Sequence, residues 1–147
     1  MAAFGAEIEV VEGSREETAH AALQAAEGNF YASHVWHPVF YEGTKTFAYE
    51  ICEQLGWEAP DTVVLPAGNG TLLIGAFIGF SELKRMGITR QLPKLIGIQA
   101  ANCAPLFHAF HNQDNSPQAP TLAEGIAIAQ ARRGGQMIDM VRQSGGT

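Results

Sequence analysis

Asp61-Thr62-Val63-Val64-Leu65-Pro66-Ala67-Gly68-Asn69-Gly70-Thr71-Leu72 is the stretch on which the fold turns. Residues 62–66 form an apolar run without polar alternation, the pattern of a strand buried on both faces of a parallel sheet. A tight glycine-rich loop follows at residues 67–71. Leu72, Leu73, Ala76, Phe77, Phe80 and Leu83 then recur on one helical face, and the helix runs to Gly87. Pro93 introduces Lys94-Leu95-Ile96-Gly97-Ile98-Gln99, a second short strand. Strand, crossover helix, strand predicts a right-handed parallel unit, so the class is α/β.

Upstream, residues 1–4 read as the end of a helix, and Ile8, Val10 and Val11 as a strand stopped by Gly13. Ser14 and Glu17 have the spacing of a capping box. Ala19, Ala22, Leu23 and Ala26 stripe the helix that follows, and Gly28 and Asn29 end it. Residues 29–42 carry many rings and no period, which predicts a folded crossing segment. Thr44 or Thr46 can cap the next helix, where Phe47, Ile51 and Leu55 recur. Downstream, residues 100–120 read as a short helix and a polar loop. Thr121 heads an Ala/Ile helix with Glu124 at capping-box distance, and Met137, Ile138, Met140 and Val141 make a short strand or helix. Residues 1–42 thus form one portion, and residues 43–147 a second portion built on the strand–loop–helix.

Of the 147 residues, 46% are hydrophobic and 16% charged, enough apolar material for a core and too much for disorder. Nine basic against fifteen acidic residues give a net charge of -6, which argues against a nucleic-acid partner. The acidic excess lies before the glycine loop: residues 1–61 hold two basic and eleven acidic groups, residues 62–147 seven and four. Cys52 and Cys103 make no disulfide framework and fit a reducing cytoplasm. The longest apolar run, residues 72–80, is about half of a bilayer span, so no membrane partner is expected.

Chemistry is sought first at the loop. Unpaired amides at a helix start favour an anion. Gly68 and Gly70 would let backbone approach a phosphate, with Asn69 and Thr71 adding donors. The alternative is a plain strand-to-helix turn. Leu73 stands where a dinucleotide fingerprint needs glycine, and no Gly-Lys-Ser/Thr ending makes a Walker loop. His34, His37, Cys103, His108 and His111 offer no convergent metal set, so no metal is expected. Ser33, Ser81 and Ser116 lack a nucleophile setting. Lys45, at a helix start, is either a surface group or a candidate Schiff-base amine. Glu124 is either a helix cap or a ligand contact.

Several stretches, in order, resemble the pyridoxal-phosphate enzymes of the tryptophan-synthase-beta superfamily (fold type II), most closely threonine synthase-like members. They are Tyr41-Glu42-Gly43-Thr44-Lys45-Thr46 with Glu50-Ile51, the stretch from Asp61 to Leu72, Gly79-Phe80, Pro93-Lys94-Leu95-Ile96-Gly97-Ile98-Gln99-Ala100, and Thr121-Leu122-Ala123-Glu124-Gly125-Ile126. The resemblance implies an incomplete three-layer parallel sheet, with residues 1–42 on the smaller-domain side and residues 43–147 forming part of the cofactor domain. It implies pyridoxal 5'-phosphate as cofactor, its phosphate on Gly68, Asn69, Gly70, Thr71 and Leu72, and Glu124 and Gly125 near its ring.

In the full-length family, the threonine synthase version converts O-phosphohomoserine to threonine and phosphate. The family's catalytic lysine segment would lie upstream of Met1, and Lys45 does not match it. The resemblance therefore implies a segment that handles a small-molecule phosphate or amino acid, is inactive alone, and pairs with itself or with a complementary segment. A non-catalytic phosphate-binding or self-associating fragment is one alternative. A relative of serine/threonine dehydratase or diaminopropionate ammonia-lyase is another.

Overall fold

The computed structural model describes residues 1–114 and 117–147, so Ser116 and part of the expected polar loop lie outside the described residues. Along the chain run α1 (Arg15–Ala25), α2 (Val39–Thr44), α3 (Thr46–Gln54), β1 (Thr62–Pro66), α4 (Thr71–Arg85), β2 (Lys94–Ile98), α5 (Pro105–Phe110) and α6 (Gly134–Gln143). Single 3-10 turns stand at Ala2–Phe4 and Glu124–Ile126.

β1 and β2 pair in parallel, Thr62 opposite Lys94 and Pro66 opposite Ile98, as the strand–helix–strand pattern predicts. Burial on β1 alternates: Val63 and Leu65 are buried, Thr62, Val64 and Pro66 are not. The expected burial on both faces is therefore corrected to one. α4 and α6 are the helices packed on the sheet among the described residues. They cover the face of Val63, Leu65 and Leu95, while Val64 and Ile98 on the other face are 58% and 47% exposed. One helix layer on a small, unclosed parallel sheet is an α/β arrangement consistent with the expected incomplete three-layer fold.

The core gathers on α4, where Leu73, Ile74, Ala76, Phe80 and Leu83 are buried. Gly75 and Gly79 lie one turn apart against α2 and α3. A Cβ on Gly75 would stand 2.8 Å from Thr44 Cβ, and one on Gly79 2.8 Å from Ala48 Cβ and closer still to the Lys45 carbonyl. The Thr44 hydroxyl donates to the Thr71 carbonyl at 3.2 Å, fastening the α2–α3 junction to the first residue of α4. On the outer edge of β2, Ser144 Oγ accepts from Leu95 N at 3.0 Å and the Thr147 carbonyl from Gly97 N at 2.9 Å. Amides that would otherwise template another chain are thereby occupied.

The capping box forms as read. Ser14 N donates to Glu17 Oε2 at 2.5 Å and Glu17 N to Ser14 Oγ at 3.3 Å, bonds that hold the Glu17 carboxyl below its usual range. Elsewhere four expectations are corrected. No strand forms at Ile8, Val10 and Val11, where Val10 is 85% exposed: an isolated extended segment has no ladder for its amides. α2 lies inside the segment read as irregular, its start set by Pro38 at φ -62°. Neither Thr44 nor Thr46 caps α3, because Lys45 joins α2 to α3 with helical dihedrals and leaves no free start. The buried face of α3 is accordingly Ala48 and Cys52, with Phe47 and Ile51 half-buried and Leu55 exposed. Finally, Thr121 heads no helix. Ile128 N bonds to the Ile126 carbonyl at 2.9 Å, closing a three-residue turn at Ala127 (φ -77°, ψ 74°), and the Thr121 hydroxyl accepts from Ala123 N at 3.2 Å.

Replacing Gly79 by alanine separates helix propensity from packing. Propensity alone would stabilise α4 by about 1 kcal/mol, whereas the crowding against Lys45 and Ala48 costs about 1–3 kcal/mol. Gly79→Ala should therefore lower the urea midpoint; a rise would show that the α3–α4 approach carries no constraint.

Candidate functional site

β1 delivers the chain to a turn at its carboxyl end, the edge at which open α/β sheets take ligands. Ala67 N still bonds to the Ile98 carbonyl at 2.8 Å, and Gly70 then takes φ +93° as the residue before α4. No side chain caps this start. Ile74 N bonds back to the Gly70 carbonyl at 2.9 Å, and among the described residues no acceptor meets the amides of Thr71, Leu72 and Leu73. Thr71 Oγ1 is buried without a hydrogen-bond partner. A buried hydroxyl left unpaired costs about 1–3 kcal/mol, and its place beside open amides of a fifteen-residue helix fits an anion with several acceptor oxygens.

The glycines have a second reason to be glycine. A Cβ on Gly70 would stand 2.8 Å from Met137 Cγ, so α6 packs where a side chain would be. Gly68 faces Ile126, with a Cβ 3.5 Å from Ile126 Cα. The fold thus brings the Glu124–Ile126 turn against the loop. Gly125 has open space where a side chain would stand. Glu124 is exposed and ion-paired to Arg15 at the start of α1. With both side chains mostly in solvent, this pair is worth at most about 1 kcal/mol.

Asn69 lines a cleft of about 450 Å³ together with Tyr31, Ser33, Trp36, Ile128 and Arg132. The crossing segment that forms the opposite wall is held by Arg133, whose Nε donates to the Val35 carbonyl at 3.3 Å and Nη2 to the Trp36 carbonyl at 2.8 Å. These contacts, and the Arg15–Glu124 pair, are absent from the sequence reading. They join residues about a hundred apart, and no local period announces them. Excess rings in residues 29–42 were the one signal that this segment folds onto something.

Lys45 is not placed for covalent chemistry. Its amine lies 2.5 Å from Glu42 Oε2 and 3.0 Å from Glu82 Oε2, and Glu82 also accepts from the Tyr49 hydroxyl. The bonds to Glu42 and then Glu82 hold the amine well above the ordinary lysine value of 10.5. Glu82 is lowered by Tyr49 and by Lys45. Tyr49 is raised by burial first and its bond to Glu82 second. Burial alone pushes the Cys52 thiol up. An ion-paired amine is a poor nucleophile, so the Schiff-base reading of Lys45 falls. Among the described residues no group of three or more His, Cys, Asp or Glu side chains comes together as a metal site, and no helix is long and apolar enough to cross a membrane.

The family model described as pyridoxal-phosphate dependent enzyme matches residues 1–147. The threonine synthase of Methanocaldococcus jannaschii is 34% identical over 97% of this chain and 36% of its own length. That of Methanosarcina acetivorans is 36% identical over 76% of this chain and 28% of its own. That of Synechocystis sp. is 30% identical over 97% of this chain and 36% of its own. The chain therefore spans about a third of the length of these curated relatives.

The Lys45 network makes a pH-dependent contribution to stability. A folded amine above its unfolded value stabilises fully below that value, and the contribution fades as pH rises through the folded one. The lowered Glu82 behaves oppositely, stabilising above the usual 4.5 and fading as pH falls. Lys45→Met should lower Tm at pH 7, with the deficit shrinking above pH 10.5. A deficit independent of pH would assign the effect to packing.

Proposed function

The chain belongs to the family of pyridoxal-phosphate dependent enzymes, and we propose that it forms the phosphate-holding part of a threonine synthase-like lyase with pyridoxal 5'-phosphate as cofactor. The observation that carries this reading is the open start of α4, where the buried Thr71 hydroxyl has no partner and no side chain caps the helix. A phosphate monoester would accept from the amides of Thr71 and Leu72 and from that hydroxyl, with Gly68, Asn69 and Gly70 forming the loop around it. Glu124 and Gly125 would border the ring, Gly125 leaving space for a flat group.

When bound, this cofactor supplies an electron sink for negative charge at the α carbon of an amino acid. The residues of this chain orient and neutralise; they do not take the proton. Lys84 and Lys94 are exposed, Lys94 begins β2 at the end away from the loop, and Lys45 is ion-paired. Conversion of O-phosphohomoserine to threonine and phosphate is accordingly proposed for an assembly in which a base comes from outside these residues. The uncovered sheet face at Val64 and Ile98 is where such an assembly, with a complementary segment or a second copy, would pack. Alone, the chain binds the phosphate and does not turn over.

Equilibrium dialysis with pyridoxal 5'-phosphate tests the reading. Saturable binding is expected, displaced by inorganic phosphate and weakened roughly tenfold, about 1.4 kcal/mol, by Thr71→Val. Equal binding by the variant, or binding indifferent to phosphate, would overturn it.

A further inference from the structure

Asn69 and Gly70 form a dipeptide with a reactivity of its own. Of the chain's asparagines, only Asn69 is followed by glycine. That glycine is demanded by the fold: Gly70 takes φ +93°, and a Cβ there would stand 2.8 Å from Met137 Cγ. Without a side chain, Gly70 offers nothing to shield its nitrogen from the Asn69 side-chain carbonyl carbon. Among the described residues no acceptor holds the Gly70 N–H. Asn69 is half-buried on the cleft of about 450 Å³, and its side chain makes no hydrogen bond among the described residues. Gln99, beside the same loop, is by contrast held at both ends. Its Nε2 donates to the Ala67 carbonyl at 3.2 Å, and its Oε1 accepts from Leu106 N at 2.9 Å and Phe107 N at 3.1 Å.

We propose that Asn69 is a site of spontaneous deamidation, and that the carboxylate it becomes closes the start of α4 to other anions. The modification stands without the phosphate reading; its effect on phosphate binding rests on that reading. Hydroxide removes the Gly70 N–H proton, and the nitrogen attacks Asn69 Cγ. The new C–N bond closes a cyclic imide as the bond from Cγ to the side-chain nitrogen breaks and ammonia leaves. Water then opens the imide at either carbonyl, giving aspartate or, with the backbone rerouted through Cβ, isoaspartate. Amide and water become carboxylate and ammonium, with no change of oxidation state. The positive end of α4 favours both charged stages, the deprotonated nitrogen and the carboxylate. A carboxylate at residue 69 lies next to the amides that a phosphate would use, and competes for them.

Peptide mapping by mass spectrometry of the 147-residue chain, incubated at neutral and at mildly alkaline pH, tests the site. Residue 69 should convert ahead of Asn29 and Asn102, faster at the higher pH, with isoaspartate among the products. Asn69→Gln should remove the fast release of ammonia, because the longer side chain closes its ring far more slowly. Conversion of Asn69 no faster than that of Asn29 or Asn102 would overturn the site. The consequence is read on Asn69→Asp, whose Tm at low salt should exceed that of the parent chain, with the gain lost at high salt. The same variant should bind inorganic phosphate about tenfold more weakly, and phosphate should slow conversion of the parent chain. An unchanged Tm in Asn69→Asp, or undiminished phosphate binding, would overturn the closing of the helix start. If Asn69 converts and Asn69→Asp is stabilised, yet phosphate neither binds the parent chain nor slows its conversion, the phosphate reading falls and the modification stands.

Discussion

The approach of α4 to the α2–α3 junction is the constraint on which the remaining geometry rests. Gly75 and Gly79 remove the side chains that would hold the helices apart, and Thr44, Lys45 and Ala48 fill the space. The contact fixes where α4 lies on the sheet, and so where its first turn emerges beyond β1. Thr44 closes on the Thr71 carbonyl, and Met137 closes on Gly70 from the other side. Every α-helix leaves its first amides without an intrahelical acceptor. Here no side chain caps them, and they are what an anion would use.

Charge is distributed to match. Lys45, at the α2–α3 junction, is locked by Glu42 and Glu82 and serves as a bolt between α3 and α4. Loose positive charge appears instead at Arg132, on the wall facing the glycine loop. On the proposed reading, this chain would bind and orient the phosphate, while Lys45 is ion-paired and Lys84 and Lys94 are exposed. That division fits a family member spanning about a third of its relatives' length.

What was legible in the sequence was local. The β1–loop–α4–β2 unit followed from an apolar run, a glycine loop and helical spacing, and the Ser14–Glu17 box from a spacing of three. Expectations failed where a local pattern lacked a neighbour to complete it. Ile8 and Val10 alternate like a strand but meet no sheet edge, and Thr121 and Glu124 have capping spacing in a segment that is drawn against Gly68 instead. The loop residues were readable as an anion site by mechanism, and Glu124 and Gly125 only through resemblance. Arg15, Arg132 and Arg133 were not readable at all, because their partners are supplied by the tertiary fold.

The central claim is that the first amides of α4 are free to receive a phosphate group. Amide chemical shifts of the ¹⁵N-labelled chain during a titration with inorganic phosphate test it most directly. Saturable movement of Gly70, Thr71 and Leu72 with a common Kd, reduced in affinity by Thr71→Val, is the predicted result. Shifts that stay flat at these residues while others move would contradict it.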